Sequence, residues 1–237
     1  MSLPVQTPST TLRVGITGGT SGLGLALVRA FVERGDRAAF VARTAEAVAG
    51  VAAETGAVGI VGDVARQDDI HRIALQVTAA LGGLDVLINN ASDLGPVPLA
   101  LLADTDCEDF ERALQTNLLG PFRLSKALLG ALAGSAREQR GGVIVNISSD
   151  AAVAPYETWG AYGASKAALH HLSHIWDAEL AGEGVRALSL DPGDMDTPMH
   201  AAAMPGADRT TLQRPTDAAW GVLAAVLSAL PSATVAA

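Results

Sequence analysis

Three side chains in the second half of the chain have the types and spacing of proton-transfer machinery. Tyr162 and Lys166 are four residues apart in a segment of helical pattern, so both project from one face. A free phenol titrates near pH 10 and is a poor base at neutral pH. A neighbouring ammonium stabilises the phenolate and lowers that value. A phenol tuned in this way gives a proton to a carbonyl oxygen or takes one from an alcohol. Ser149 lies upstream of Tyr162, just past an apolar strand-like run, where its hydroxyl can bond the same oxygen. Alone, a Tyr-x-x-x-Lys pair arises by chance in many helices, so its weight comes from what accompanies it.

A second constellation lies near the N-terminus. An apolar run ends in Thr17-Gly18-Gly19-Thr20-Ser21-Gly22-Leu23-Gly24 and passes into a helical pattern. Glycines there let the backbone turn tightly and approach a pyrophosphate, while the helix start offers free N–H groups and the positive end of its dipole. The spacing is G-x-x-x-G-x-G rather than the commoner G-x-G-x-x-G. The next apolar run ends in Ala42-Arg43, where a dinucleotide site selective for NAD carries a carboxylate to hold the ribose 2′-OH. A guanidinium suits a 2′-phosphate instead, so NADP(H) is the preferred cofactor and NAD(H) a possible one.

These groups need a frame that brings them to one edge. Strand-like runs at Leu12–Thr17, Ala38–Ala42, Val58–Val61, Leu84–Ile88, Val143–Ile147 and Val185–Leu190 alternate with helical segments at Leu23–Arg34, Thr44–Glu54, Gln67–Leu81 and Trp159–Ala181. A further long helix runs to about Ala133. The Thr105/Glu108 spacing predicts a capping box at its start, and Pro121 predicts a bend. A last helix begins near Pro215, and the final SATVAA is a candidate edge strand. Strict alternation with continuously apolar strands indicates a doubly wound α/β sheet of six to seven parallel strands, with helices on both faces. Residues 1–11, rich in Pro, Ser and Thr, read as a flexible segment. Residues 12–237 read as a single dinucleotide-binding domain.

Taken together, the motifs resemble those of the short-chain dehydrogenase/reductase family, in its branch of roughly 250-residue Rossmann-fold enzymes. Thr17 to Gly24 matches T-G-x-x-x-G-x-G, and Asn89-Asn90-Ala91 matches N-N-A-G with Ser92 in place of the last Gly. Asn146-Ile147-Ser148-Ser149, Tyr162-Gly-Ala-Ser-Lys166 and Pro192-Gly193 followed by Thr197 complete the pattern. The resemblance implies a catalytic tetrad of Asn117, Ser149, Tyr162 and Lys166. Tyr162 would be the proton donor and acceptor, Lys166 would lower its pKa and bond the nicotinamide ribose, and Ser149 would polarise the substrate oxygen. Asn117 would hold a water. It implies a cofactor site of Gly18, Thr20, Ser21, Gly22, Leu23, Gly24, Arg43, Asp63, Val64, Asn90, Ala91, Tyr162, Lys166, Pro192, Gly193 and Thr197. The loop 194–212 would cover a small carbonyl or alcohol substrate, and the enzyme would be a homodimer or homotetramer. Trp159 and Asp196-Thr197 resemble sepiapterin reductases, which act on a specific bicyclic carbonyl. A protein that senses NADP(H) without turnover is the alternative from another class, and an intact tetrad weighs against it.

Bulk composition sets the remaining bounds. The 237 residues are 49% hydrophobic and 17% charged, as a sheet buried on both faces requires. A net charge of −9 with no basic stripe argues against nucleic acid. The uncharged stretch Ala218–Ala237 is broken by Pro231 and three hydroxyl residues. Trp220, Leu223, Leu227 and Leu230 fall at helical spacing, so it reads as a packed surface helix rather than a membrane span. Cys107 is the only cysteine and no signal-peptide pattern opens the sequence, so a cytoplasmic location is expected. His170 and His174 lack a convincing third ligand, and no metal is expected. Asp150, Tyr156, Trp159, Leu94 and the flexible Met195, Met199 and Met204 with His200 are candidates for the substrate pocket.

Overall fold

A computed structural model describes residues 11–231. Six strands, β1 (Arg13–Thr17), β2 (Arg37–Ala42), β3 (Val58–Val61), β4 (Val86–Asn89), β5 (Val143–Ile147) and β6 (Arg186–Leu190), form one sheet in the order β3-β2-β1-β4-β5-β6. Every pairing is parallel. The order reverses between β1 and β4, and in such sheets a crevice opens at that point beyond the carboxyl ends of the strands. The candidate edge strand SATVAA and most of the N-terminal segment lie outside the described residues.

Side-chain alternation along the strands builds two cores. Val14 and Ile16, Ala38 and Phe40, Val86 and Ile88, and Val143 and Val145 face helices α1 (Gly22–Glu33), α2 (Ala45–Thr55) and α8 (Pro215–Ala229). Ala39 and Val41, Leu87 and Ile144 face α3 (Gln67–Leu81), α5 (Gly120–Arg137) and the end of α6 (Gly160–Leu180). Fully buried side chains such as Phe31 and Phe40 contribute about 1.5–3 kcal/mol each by leaving water. Of the two remaining helices, α4 (Cys107–Leu114) packs against α6 and α7 (Pro198–Ala203) lines the crevice. Among the described residues no helix is long and apolar enough to cross a membrane.

Three local expectations are corrected. The Thr105/Glu108 capping box does not form: Asp106 is the N-cap of α4, and Thr105 Oγ1 donates back to the Leu101 carbonyl at 2.9 Å. The long helix does not bend at Pro121 itself. It is interrupted just before it by a π-helical turn, Gln115–Leu119, whose last bond runs from the Gly120 N–H to the Gln115 carbonyl. Pro121 has no N–H for the carbonyl four residues back, and the wider turn absorbs that missing bond. On α8 the packed face is Ala218, Ala219, Val222, Leu223 and Val226, while Trp220 and Leu227 are exposed. Small residues pressed against α1 displaced the larger ones that hydropathy alone favoured.

At the amino ends of the strands, opposite the crevice, Asp85 is fully buried. It accepts from the Arg13 backbone N–H at 2.8 Å and from the Arg13 guanidinium at 2.7 Å, with Ser135 and Arg140 completing the cluster. Burial pulls its pKa up, but the bonds from Arg13 and Ser135 outweigh it and hold the carboxyl below its ordinary value. Its contribution to stability is therefore complete above the unfolded value of about 3.9 and fades as pH falls through the lower native value. Asp85→Asn is expected to cost roughly 3–5 kcal/mol at neutral pH. In thermal melts from pH 7 downward, the gap to the unsubstituted protein should stay constant to about pH 4, then narrow and close as pH falls past the lower native value. A gap that stays constant with pH would show that charge is not the source.

Candidate active site

The crevice opens into a cavity of about 660 Å³. The turn from β1 to α1 forms one wall. Gly18 and Gly22 have positive φ, +71° and +50°, which other residues adopt only under strain. Gly24 is more tightly constrained: a Cβ there would lie 2.0 Å from the Gly18 carbonyl oxygen and 2.5 Å from Asn90 Nδ2. Helix α1 can press against the strand ends only because that side chain is missing. Thr17 clamps the same region, its Oγ1 accepting from the N–H groups of Asn90 and Ala91, both at 3.0 Å. Sequence reasoning gave Thr17 no role, although a hydroxyl closing an apolar strand was a visible signal.

All the residues expected at the cofactor site line this cavity: Gly18, Thr20, Ser21, Gly22, Leu23 and Gly24 from the first turn, Arg43 after β2, and Asp63 and Val64 after β3. Asn90 and Ala91 follow β4, and Pro192, Gly193 and Thr197 follow β6. Arg43 is exposed, and among the described residues it enters no ion pair. Ser148 Oγ, in the cavity wall, is buried without a hydrogen-bond partner. A glycine cradle at a helix start, an unpaired cation beyond it and a partnerless buried hydroxyl fit a dinucleotide.

Ser149, Tyr162 and Lys166 line the same cavity, but Asn117 does not. The Asn117 side chain is fully buried in the π-helical turn. Its Oδ1 accepts from the Asp93 N–H at 2.7 Å and the Ser92 hydroxyl at 3.2 Å, and its Nδ2 donates to the Asp93 carbonyl at 2.7 Å and to Ser165 Oγ at 2.8 Å. With every side-chain polar atom engaged, Asn117 holds the β4 loop against α6. Beneath it, Asn89 donates to Asn146 and Ser125, and Asn146 donates to Ser173. These partners are 27 to 57 residues apart in sequence, beyond the reach of pattern reading.

Lys166 is fully buried, and its Nζ donates to the Ile147 carbonyl at 2.7 Å and lies 5.4 Å from the centre of the Tyr162 ring. Burial pushes its pKa down to about 8, against the pull of Asp191. The Tyr162 phenol is pushed the other way, up to about 12, by its own burial, and the hydroxyls of Ser149 and Ser92 only partly oppose this. The net shift of the phenol is upward because desolvation outweighs the lowering effects around it, while Lys166 Nζ keeps its bond to the Ile147 carbonyl. At neutral pH the phenol keeps its proton.

The substrate side is walled by Leu94, Ala151, Trp159, Met199 and Ala203, packed around the Tyr162 ring. Trp159 meets that ring edge-on with centroids 5.6 Å apart. Met195, His200, Met204 and Tyr156 also line the cavity. Thr197 caps α7 by accepting from the His200 N–H at 3.1 Å, and its methyl faces Gly22 across the opening. Asp196 pairs with Arg209 rather than lining the pocket. His170 and His174 stack edge-on at 4.6 Å, and among the described residues no group of three potential ligands could hold a metal.

Comparison with known proteins agrees with this arrangement. The family model described as short chain dehydrogenase matches residues 13–207. The chain is 34% identical over 185 residues to a serine 3-dehydrogenase of Agrobacterium fabrum, covering 77% of this chain and 71% of that protein. It is 32% identical over 190 residues to a 2-(R)-hydroxypropyl-CoM dehydrogenase of Xanthobacter autotrophicus, covering 78% and 74%. The crystal structure of 3-ketoacyl-(acyl-carrier-protein) reductase from Brucella melitensis complexed with NADH superposes with a TM-score of 0.83. That match covers 90% of this chain and 89% of the other at 24% identity, a likeness of fold.

The buried lysine has a measurable signature. A Lys held near 8 in the native state and near 10.4 unfolded opposes folding while charged, by roughly 3 kcal/mol. Between about pH 8 and 10.4 the unfolded chain binds the extra proton, so native stability should rise with pH relative to Lys166→Met. Denaturant titrations of both proteins across that range check it, and parallel pH dependences would contradict it.

Proposed function

The chain belongs to the short-chain dehydrogenase/reductase family, and on that premise we propose that it is an NADP(H)-dependent oxidoreductase interconverting a small carbonyl compound and its alcohol, with Tyr162 as general acid and base. One observation carries the reading: the Tyr162 phenol, the Ser149 hydroxyl and the buried Lys166 share a cavity with a glycine cradle that fits a dinucleotide. When bound, the nicotinamide supplies a hydride to the carbonyl carbon in one direction and accepts it from the alcohol carbon in the other.

In reduction, Tyr162 gives its hydroxyl proton to the substrate oxygen as charge builds there. Its raised pKa keeps that proton in place until the oxygen becomes the stronger base. Ser149 hydrogen-bonds the same oxygen. Lys166 places a positive charge behind the ring and stabilises the phenolate left after transfer. Asn117, with no group facing the cavity, acts as a positioning residue: it fixes the β4 loop and α6 against each other. Leu94, Trp159 and Met199 exclude water from the reacting atoms. In oxidation the same proton path runs backwards, starting from the phenolate.

The free guanidinium of Arg43 supports the preference for NADP(H), with NAD(H) the weaker alternative. A homodimer or homotetramer is part of the proposal. It is supported by exposed Ile175 on α6 and by the half-buried, tilted pair of Trp176 on α6 and Phe122 on α5.

Tyr162→Phe is expected to lower turnover of ketones and aldehydes by at least about 100-fold while leaving NADPH affinity within a few-fold. Nicotinamide absorbance and fluorescence titration measure the two quantities, and full activity in that variant would defeat the assignment. Arg43→Ala should reduce the NADPH-over-NADH preference in kcat/KM by roughly tenfold or more. An unchanged preference would place 2′-phosphate recognition elsewhere.

A further inference from the structure

Asp150 stands directly beside the reacting centre and has no part in the proton path. It follows Ser149 at the end of β5, and two hydroxyls fix its carboxylate. Ser149 Oγ donates to Oδ1 at 3.0 Å, and Tyr156 Oη donates to Oδ2 at 2.7 Å. The side chain is exposed to the cavity, not buried in the wall. Two bonds leave part of a carboxylate's accepting capacity open. Among the described residues, no Lys, Arg or His forms an ion pair with it. The bond from Tyr156, aided by that from Ser149, holds its pKa below the ordinary carboxylate range, so it is charged at neutral pH.

The surrounding charges point the same way. Asp191 and Asp194 line the cavity on the β6 side, and the facing cationic candidate is His200 from α7. Lys166 is enclosed on the Ile147 carbonyl. Arg43 follows β2, three strand spacings or about 14 Å away across the sheet edge. The half of the cavity around Ser149 is thus negative, with an aromatic wall at Trp159 that also favours a cation.

We propose that Asp150, held by Tyr156, is a specificity-determining residue that selects substrates carrying an ammonium group next to the reacting carbon: amino alcohols and the matching amino carbonyl compounds. The inference rests on the oxidoreductase reading above. When the Ser149 hydroxyl turns from Asp150 Oδ1, 3.0 Å away, to the reacting oxygen, the carboxylate stands beside that oxygen, so oxygen and cation are received side by side. The ammonium must therefore sit on the carbon adjacent to the reacting one, or one further along. An anionic group at that position meets the carboxylate and is rejected.

The test compares three alcohols of similar size, each with NADP+ and with NAD+: 1-amino-2-propanol (cationic), 2-butanol (neutral) and lactate (anionic). The unsubstituted protein should show a kcat/KM for 1-amino-2-propanol about tenfold or more above that for 2-butanol, with lactate lowest. Asp150→Asn removes the charge and keeps an acceptor oxygen for one hydroxyl, the other meeting the amide NH2 with its own oxygen as acceptor, and should bring the ratio toward one, chiefly by raising KM for the amino alcohol. Tyr156→Phe, which loosens the carboxylate and leaves its charge, should reduce the ratio only in part. Turnover of 2-butanol at or above that of 1-amino-2-propanol, or a ratio unchanged in Asp150→Asn, overturns the inference and leaves the oxidoreductase reading standing. No turnover of any of the three alcohols with either cofactor overturns both.

Discussion

The closest constraint in the molecule is the contact of helix α1 with the loop that closes β1. Gly24 lies so near the Gly18 carbonyl and the Asn90 amide that a single methyl group would have no room. That approach sets how far α1 can advance over the strand ends, and so the width of the anion cradle. It also seats Asn90, whose Nδ2 donates to the Thr17 carbonyl at 2.9 Å and ties the β4 loop to the β1 loop. From that loop the polar chain continues through Asp93 and Asn117 to Ser165 on α6, the helix of Tyr162 and Lys166. The glycine turn and the proton-transfer pair are far apart in sequence, yet they share one hydrogen-bonded frame.

Much of this could be read in advance, for a definite reason. In a sheet covered on both faces the strands are continuously apolar, so Val143–Ile147 and Val86–Asn89 stand out from the helices between them. Tyr162 and Lys166 were legible because helical periodicity alone puts them on one face, and the glycine turn because its spacing has a backbone meaning. What escaped depended on neighbours remote in sequence. The phenol of Tyr162 follows its own burial rather than the nearby ammonium, and burial is decided by Leu94, Trp159 and Met199. Asn117 could be marked as a residue that holds a water, while the partners of its side chain, Asp93 and Ser165, are visible only after folding. On α8 Leu223 packs as its spacing indicates, but Ala218, Ala219, Val222 and Val226 share the face while Trp220 and Leu227 are exposed, a rotation that no hydropathy pattern encodes.

The two ends of the cavity carry different balances of charge. Among the described residues that line it, Arg43 and Asp63 stand at one end, and Asp150, Asp191 and Asp194 gather with Lys166 at the other. Fields from single side chains are felt strongly in a recess with low-dielectric walls. Such a difference gives the two ends of one opening distinct electrostatic characters.

The π-helical turn at Gln115–Leu119 has a mechanical consequence. It amounts to one residue inserted into an otherwise regular helix, and one residue turns the following segment by about 100°. That offset lets α4 face α6 while α5 directs Leu124, Leu128 and Leu132 into the core. The two helices therefore run on independent phases, like gears with one tooth between them. Losing that tooth would straighten the rod and swing the three leucines out of register with the sheet.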